Sequence, residues 1–128
     1  MTEPLHLSIG YLTLGVGDFG RAVAFYRDTL ELPLQFLDEG FHYARFRVGA
    51  MSFAVVSGEE HKRQREGQPD RHAGIAFCVP DVDAAYRSMT AKGVRFTMPP
   101  SKQPWGGYMA LFADPDGNVF YLDTPQPA

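Results

Sequence analysis

One pattern occurs twice in this chain. A short alternating strand runs directly into an aspartate, and an amphipathic helix follows at once. Tyr11-Leu12-Thr13-Leu14-Gly15-Val16-Gly17-Asp18 aligns with Gly74-Ile75-Ala76-Phe77-Cys78-Val79-Pro80-Asp81. Apolar residues at every second position suit a strand with one buried side. Asp18 and Asp81 are N-cap residues by type and position. Phe19, Ala22, Val23, Tyr26 and Leu30 then share one helical face, as do Val82, Ala85, Tyr86 and Met89. Lys92-Gly93 supplies the cation and glycine that end a helix.

After each helix the sequence reads as three strands. Pro33 to Asp38, Phe41 to Val48 and Met51 to Ser57 follow the first, broken by Glu39-Gly40 and Gly49-Ala50. Val94 to Met98, Tyr108 to Ala113 and Val119 to Asp123 follow the second. Asp114-Pro115-Asp116-Gly117-Asn118 joins the last two as a tight turn. The expected fold is therefore α+β, with two βαβββ units, a curved mixed sheet and an open cleft. Residues 7–57 form the first unit, 58–72 a linker and 73–124 the second, all within one domain of 1–128. The linker is rich in both charges and is expected to be solvated and mobile, with Arg63 and Arg65 as an anion-catching lid the minor alternative.

Composition narrows the function. At 128 residues and 45% hydrophobic the chain can bury a core without disulfides. Its net charge of −3 gives no basic face, so no nucleic-acid partner is expected. No apolar run is long enough for a membrane helix, the first residues lack a signal pattern, and one cysteine suits a reducing compartment. A cytoplasmic protein without a membrane partner is expected. Cys78 is expected to be an inert buried thiol.

Asp18-x-x-Arg21-Ala22-Val23-Ala24-Phe25-Tyr26-Arg27-Asp28-x-Leu30, with Pro104-Trp105-Gly106 and Asp114-Pro115-Asp116-Gly117-Asn118, resembles the signatures of the vicinal oxygen chelate superfamily. This is the glyoxalase/bleomycin resistance protein/dioxygenase group. The resemblance runs from about Leu7 to Asp123. It implies paired βαβββ modules, a barrel-like cleft and, in most members, a dimer. It also implies a divalent metal held by His, Glu, His and Glu on strands one, four, five and eight. Here those positions carry Tyr11, Ala54, Gly74 and Tyr121. Alanine and glycine have no donor atom, and two phenols make a poor divalent site at neutral pH. No metal and no cofactor is expected on this count. The alternative is a displaced site around His72, serving a metal-dependent lyase, isomerase or dioxygenase.

Alternation then sorts the two sides of the sheets. Leu12, Leu14, Phe53, Val55, Ile75, Phe77, Phe120 and Leu122 should pack beneath the helices. Tyr11, Thr13, Ser52, Ala54, Gly74, Ala76, Val119 and Tyr121 should face the cleft. Tyr43, Arg45 and Arg47 share a strand side, where Tyr43 and Arg45 would add polar or anionic recognition and Arg47 would face solvent. Trp105, on a loop before Gly106-Gly107, is either a stacking platform or a plug in a dimer seam. Ligand-binding residues are thus expected at Tyr11, Thr13, Tyr43, Arg45, Ser52, Ala54, Gly74, Trp105 and Tyr121, with no catalytic residue. The expected function is metal-independent binding of a small molecule, planar or aromatic, in the cleft of a homodimer, as in drug or metabolite sequestration. A dimeric regulatory module without a dedicated ligand is the third possibility.

Overall fold

The computed structural model describes residues 3–65 and 67–125. Eight strands and two of the three helices follow the expected order, with α2 added between the units: β1 (Tyr11–Gly15), α1 (Phe19–Ala24), β2 (Leu34–Asp38), β3 (Tyr43–Val48), β4 (Met51–Val56), α2 (Glu59–Arg65), β5 (Arg71–Cys78), α3 (Val82–Ala91), β6 (Arg95–Lys102), β7 (Tyr108–Ala113) and β8 (Asn118–Asp123). They build two four-stranded mixed sheets of the same topology, β1-β4-β3-β2 and β5-β8-β7-β6. In each, the first strand pairs in parallel with the fourth and the other neighbours are antiparallel.

Both helix starts are capped as the aspartates dictate. Asp18 accepts the Arg21 N–H at 3.0 Å and Asp81 accepts the Ala84 N–H at 3.1 Å. Helix α1 continues as a π-helical turn over Phe25–Thr29, where Leu30 N–H reaches Phe25 C=O. The widened turn lets two consecutive residues, Phe25 and Tyr26, both be buried. Helix α3 ends at Lys92, and Gly93 takes φ +87°, the left-handed value that glycine tolerates best.

The helix-facing sides of both sheets join one core. Leu14, Phe46, Phe53 and Val55 from the first sheet meet Phe112, Phe120 and Leu122 from the second, with Leu12, Ile75 and Phe77 packed against them. Phe53 lies 5.9 Å from Phe77 and 6.3 Å from Phe120 by ring centroid. Each of the eight residues expected beneath the helices is there, and none of the eight expected on the other side enters that cluster.

Three local expectations are revised. Residues 59–65 form α2 rather than a mobile linker, and β5 begins at Arg71, inside the span read as linker. Arg65 is buried, and its Nη2 donates to Asp116 C=O at 2.7 Å. His61 packs on Gly15, where an added Cβ would come within 2.5 Å of its ring. A charged segment hides such anchoring because an arginine stem covers apolar surface while its head meets a carbonyl. His42 precedes β3, with φ 52° and its ring stacked on Phe19 at 5.1 Å. Cys78 is exposed, because alternation along β5 turns it outward with Ala76 while Phe77 points inward.

Candidate ligand-binding site

The open side of the first sheet is built by register. Tyr11 pairs with Ser52 and Thr13 with Ala54 across β1 and β4, while Arg45 pairs with Ala54 and Arg47 with Ser52 across β3 and β4. A bulge in β2 sets Phe36 opposite Arg45, with its ring 6.2 Å from that of Tyr43. The sequence reading missed Phe36, because the bulge shifts its pairing and alternation alone does not locate bulges. Tyr11 and Phe36 are each more than half exposed, at 54% and 53%. Ala54 is fully covered, since its cross-strand neighbours Thr13 and Arg45 flank a short side chain.

Arg45 occupies the centre of this surface. Its guanidinium stands 5.1 Å from the Tyr11 ring and 5.6 Å from the Tyr43 ring. Nε and Nη2 both donate to Tyr43 Oη, at 3.1 and 2.8 Å. Beside it, the hydrogen-bond network assigns the Gln35 amide so that its nitrogen donates to Ser52 Oγ at 3.0 Å and its oxygen accepts from Arg47 at 3.1 Å. Arg47 is otherwise exposed, as expected.

The second sheet presents a less polar surface. His72 pairs with Val119 and Ala76 with Tyr121, and the His72 and Tyr121 rings stack at 6.0 Å. Gly74 lies in the irregular stretch between His72 and Ala76, with φ +72° and nothing within 4 Å of an added Cβ. The backbone here asks for glycine, so a side chain at this position is strained although space is available. Leu111 faces Tyr121 across β7 and β8.

Trp105 is not brought to the Tyr11 and Arg45 surface of the first sheet. It is 74% exposed and lines a groove of about 850 Å³ with Pro80, Asp83 and Tyr108 at the start of α3, which reaches Asp123 at the end of β8. Tyr108 Oη donates to Asp83 in that groove, which holds its phenol above the usual tyrosine range. A polar groove of about 440 Å³ lies where α2 meets the 114–118 turn, lined among others by Arg21, Lys62, Arg65, Asp70, Arg95 and Asp116. Arg95 holds Asp70 through two hydrogen bonds of 2.8 and 2.9 Å, and Arg21 lies 3.8 Å from Asp116. Its charges thus largely answer one another across the module joint.

The four positions that the resemblance assigns to metal ligands hold Tyr11, Ala54, Gly74 and Tyr121. Among the described residues no three His, Cys, Asp or Glu side chains cluster so as to hold a metal ion. His72 has an aromatic neighbour and no such cluster around it. The donor set present does not fit the family's metal.

The chain matches the model of the glyoxalase/bleomycin resistance protein/dioxygenase superfamily over residues 8–122. It is 34% identical over 119 residues to the uncharacterized protein YraH of Bacillus subtilis, covering 87% of this chain and 93% of YraH. Among solved structures it resembles a member of the same superfamily from Sphaerobacter thermophilus, with 31% identity and a TM-score of 0.74, covering 94% of this chain and 98% of that one. A protein of unknown function from Agrobacterium tumefaciens is similar too, at 26% identity and TM-score 0.72 over 95% of this chain and 97% of that one. With the family match spanning nearly all of the paired modules, the chain belongs to the glyoxalase/bleomycin resistance protein/dioxygenase superfamily.

Proposed function

We propose that this protein binds a small planar molecule without a metal, in a cleft completed by a second copy of the chain. The observation that carries the reading is the content of the four metal-ligand positions: two phenols, an alanine and a glycine. They leave aromatic and small residues, together with Arg45, on the open sides of the two sheets, where they can grip a flat ligand.

The second copy is argued from the packing. The core side of each sheet is used up within the chain, which leaves the open sides for contact with another molecule. Tyr11 and Phe36 are left more than half exposed, and a ligand on either surface alone would stay open to solvent. Bringing the first sheet of one copy against the second sheet of another would enclose it on two sides. Most ligand sites bury the larger part of their ligand, which favours that arrangement over a single wall. Localisation in the cytoplasm and a role in sequestering a drug or metabolite belong to the same proposal. No helix among the described residues is long and apolar enough to cross a membrane.

The test is a calorimetric titration with planar aromatic compounds, paired with elemental analysis of the purified protein. Saturable binding that Tyr11→Ala weakens, in a preparation free of stoichiometric metal, is expected. Stoichiometric metal that is lost on His72→Ala would overturn the reading in favour of a metal-dependent enzyme.

A further inference from the structure

We infer that the ligand is an anion: a planar aromatic carboxylate whose charged group is received by Arg45. The inference rests on the first sheet's open side being the ligand wall, and it adds the ligand's charge and the residue that reads it. A guanidinium has five N–H donors in a fixed plane. The Nε–Nη2 edge of Arg45 is spent on one acceptor, Tyr43 Oη. Among the described residues its Nη1 makes no hydrogen bond, and no carboxylate forms an ion pair with it. The remaining fork has the geometry of bidentate carboxylate recognition.

The neighbours of Arg45 suit the same ligand. Tyr43 Oη accepts two bonds from a cation, so its own proton is available to a second acceptor beside the fork. Tyr11 and Phe36 expose flat apolar surface on the same side, ready for the ring that carries the carboxylate.

A cationic ligand finds much less. The strands hold two acids, Asp38 and Asp123, both at strand ends. Asp38 accepts the Phe41 N–H at 3.0 Å and Asp123 accepts the Thr124 N–H at 2.8 Å, so both carboxylates are engaged by main chain. A positive ligand over the first sheet would meet Arg45 and Arg47 instead.

Calorimetric titration of the full chain with three probes tests this: 2-naphthoate, its neutral isostere 2-naphthamide, and protonated 2-naphthylmethylamine. A charge-assisted hydrogen-bonded pair leads us to expect naphthoate to bind about tenfold tighter than the amide, or more, with the amine weakest. Arg45→Met should bring carboxylate and amide to the same affinity, and Arg45→Lys should keep part of the preference. Circular dichroism and the melting temperature establish that each variant is folded. Equal affinity of naphthoate and naphthamide for the wild type, or a preference that survives Arg45→Met, overturns the inference. In that case loss of naphthamide binding on Tyr11→Ala would show that the wall still stands as the ligand site. If none of the probes binds saturably, or Tyr11→Ala changes nothing, the site reading falls and this inference falls with it.

Discussion

The phenol of Tyr26 donates a 2.6 Å hydrogen bond to the buried carboxylate of Asp114, 88 residues away in sequence. Asp114 is 2% exposed and also accepts from Asp116 N, Asn118 N and Asn118 Nδ2, each at 2.9 Å. One carboxylate therefore fixes the turn between β7 and β8 and ties it to the first helix. Two of the three stretches that carry the family resemblance, Asp18 to Leu30 and the 114–118 turn, meet at this bond.

Tyr26→Phe removes one donor from a buried charge and should destabilise the protein by about 1.5–3 kcal/mol, read from urea midpoints. Asp114→Ala should cost more, because two backbone N–H groups lose their acceptor along with Tyr26 and Asn118. A loss below about 0.5 kcal/mol for Tyr26→Phe would mean that the bond does not couple the modules.

The same pair sets an alkaline limit. Burial, followed by the Asp114 charge, raises the Tyr26 phenol well above 10.0. In the unfolded chain it ionises near 10, whereas in the folded chain it stays protonated. The folded state therefore binds more protons once pH exceeds about 10, and stability falls as pH rises from there toward the folded value. This group should contribute a slope of about 1.4 kcal/mol per pH unit in that window. The slope should be shallower in Tyr26→Phe, and identical pH profiles for the two proteins would refute the assignment.

Much of this was readable in the sequence because it depends on period and punctuation. Two aspartates, each after an alternating strand, located both modules, and period two placed Leu12, Leu14, Phe53, Val55, Ile75, Phe77, Phe120 and Leu122 on the core side, although Ala54 and Val119, read as open-side residues, are buried too. What escaped depends on contacts far apart in the chain. Helix α2 is held by Arg65 reaching the Asp116 carbonyl, a partner that no local pattern reveals. Phe36 was missed because a bulge altered its pairing. The guanidinium of Arg45 between two tyrosine rings needs three strands in register, so alternation could name the residues but not their arrangement.

Metal content follows from the donor count. Elemental analysis should find transition metal well below one ion per chain, and chelator should leave the melting temperature unchanged. A resident metal at 100 times its dissociation constant would stabilise the fold by about 2.7 kcal/mol, so its removal would be visible as a lower midpoint.

Sedimentation velocity at micromolar concentration should show a species of about twice the 14.2 kDa chain mass. The driving force is the apolar part of the two open sheet sides, where Tyr11, Phe36 and Ala76 are exposed in the single chain. A monomer alone under those conditions would leave the proposed cleft with one wall.

Trp105 and Tyr11 separate two pictures of where an aromatic ligand stacks. Tyr11 lies on the open side of the first sheet under the Arg45 guanidinium, whereas Trp105 lines the groove at the start of α3. One lost aromatic contact is worth about 0.5–1.5 kcal/mol beyond area, so Tyr11→Ala should weaken naphthoate binding roughly 2- to 13-fold. Trp105→Ala should leave the affinity within about twofold, because that ring shares its groove with Pro80, Asp83, Tyr108 and Asp123 rather than with Tyr11 and Arg45. Trp105 is the only tryptophan in the chain, so its fluorescence provides an independent reading. Little quenching is expected as the sheet surface fills. If Trp105→Ala weakens binding as much as Tyr11→Ala does, and naphthoate quenches the tryptophan, then Trp105 must reach the ligand from a second copy. That result would move the site to the seam between chains and replace the placement argued from the single chain.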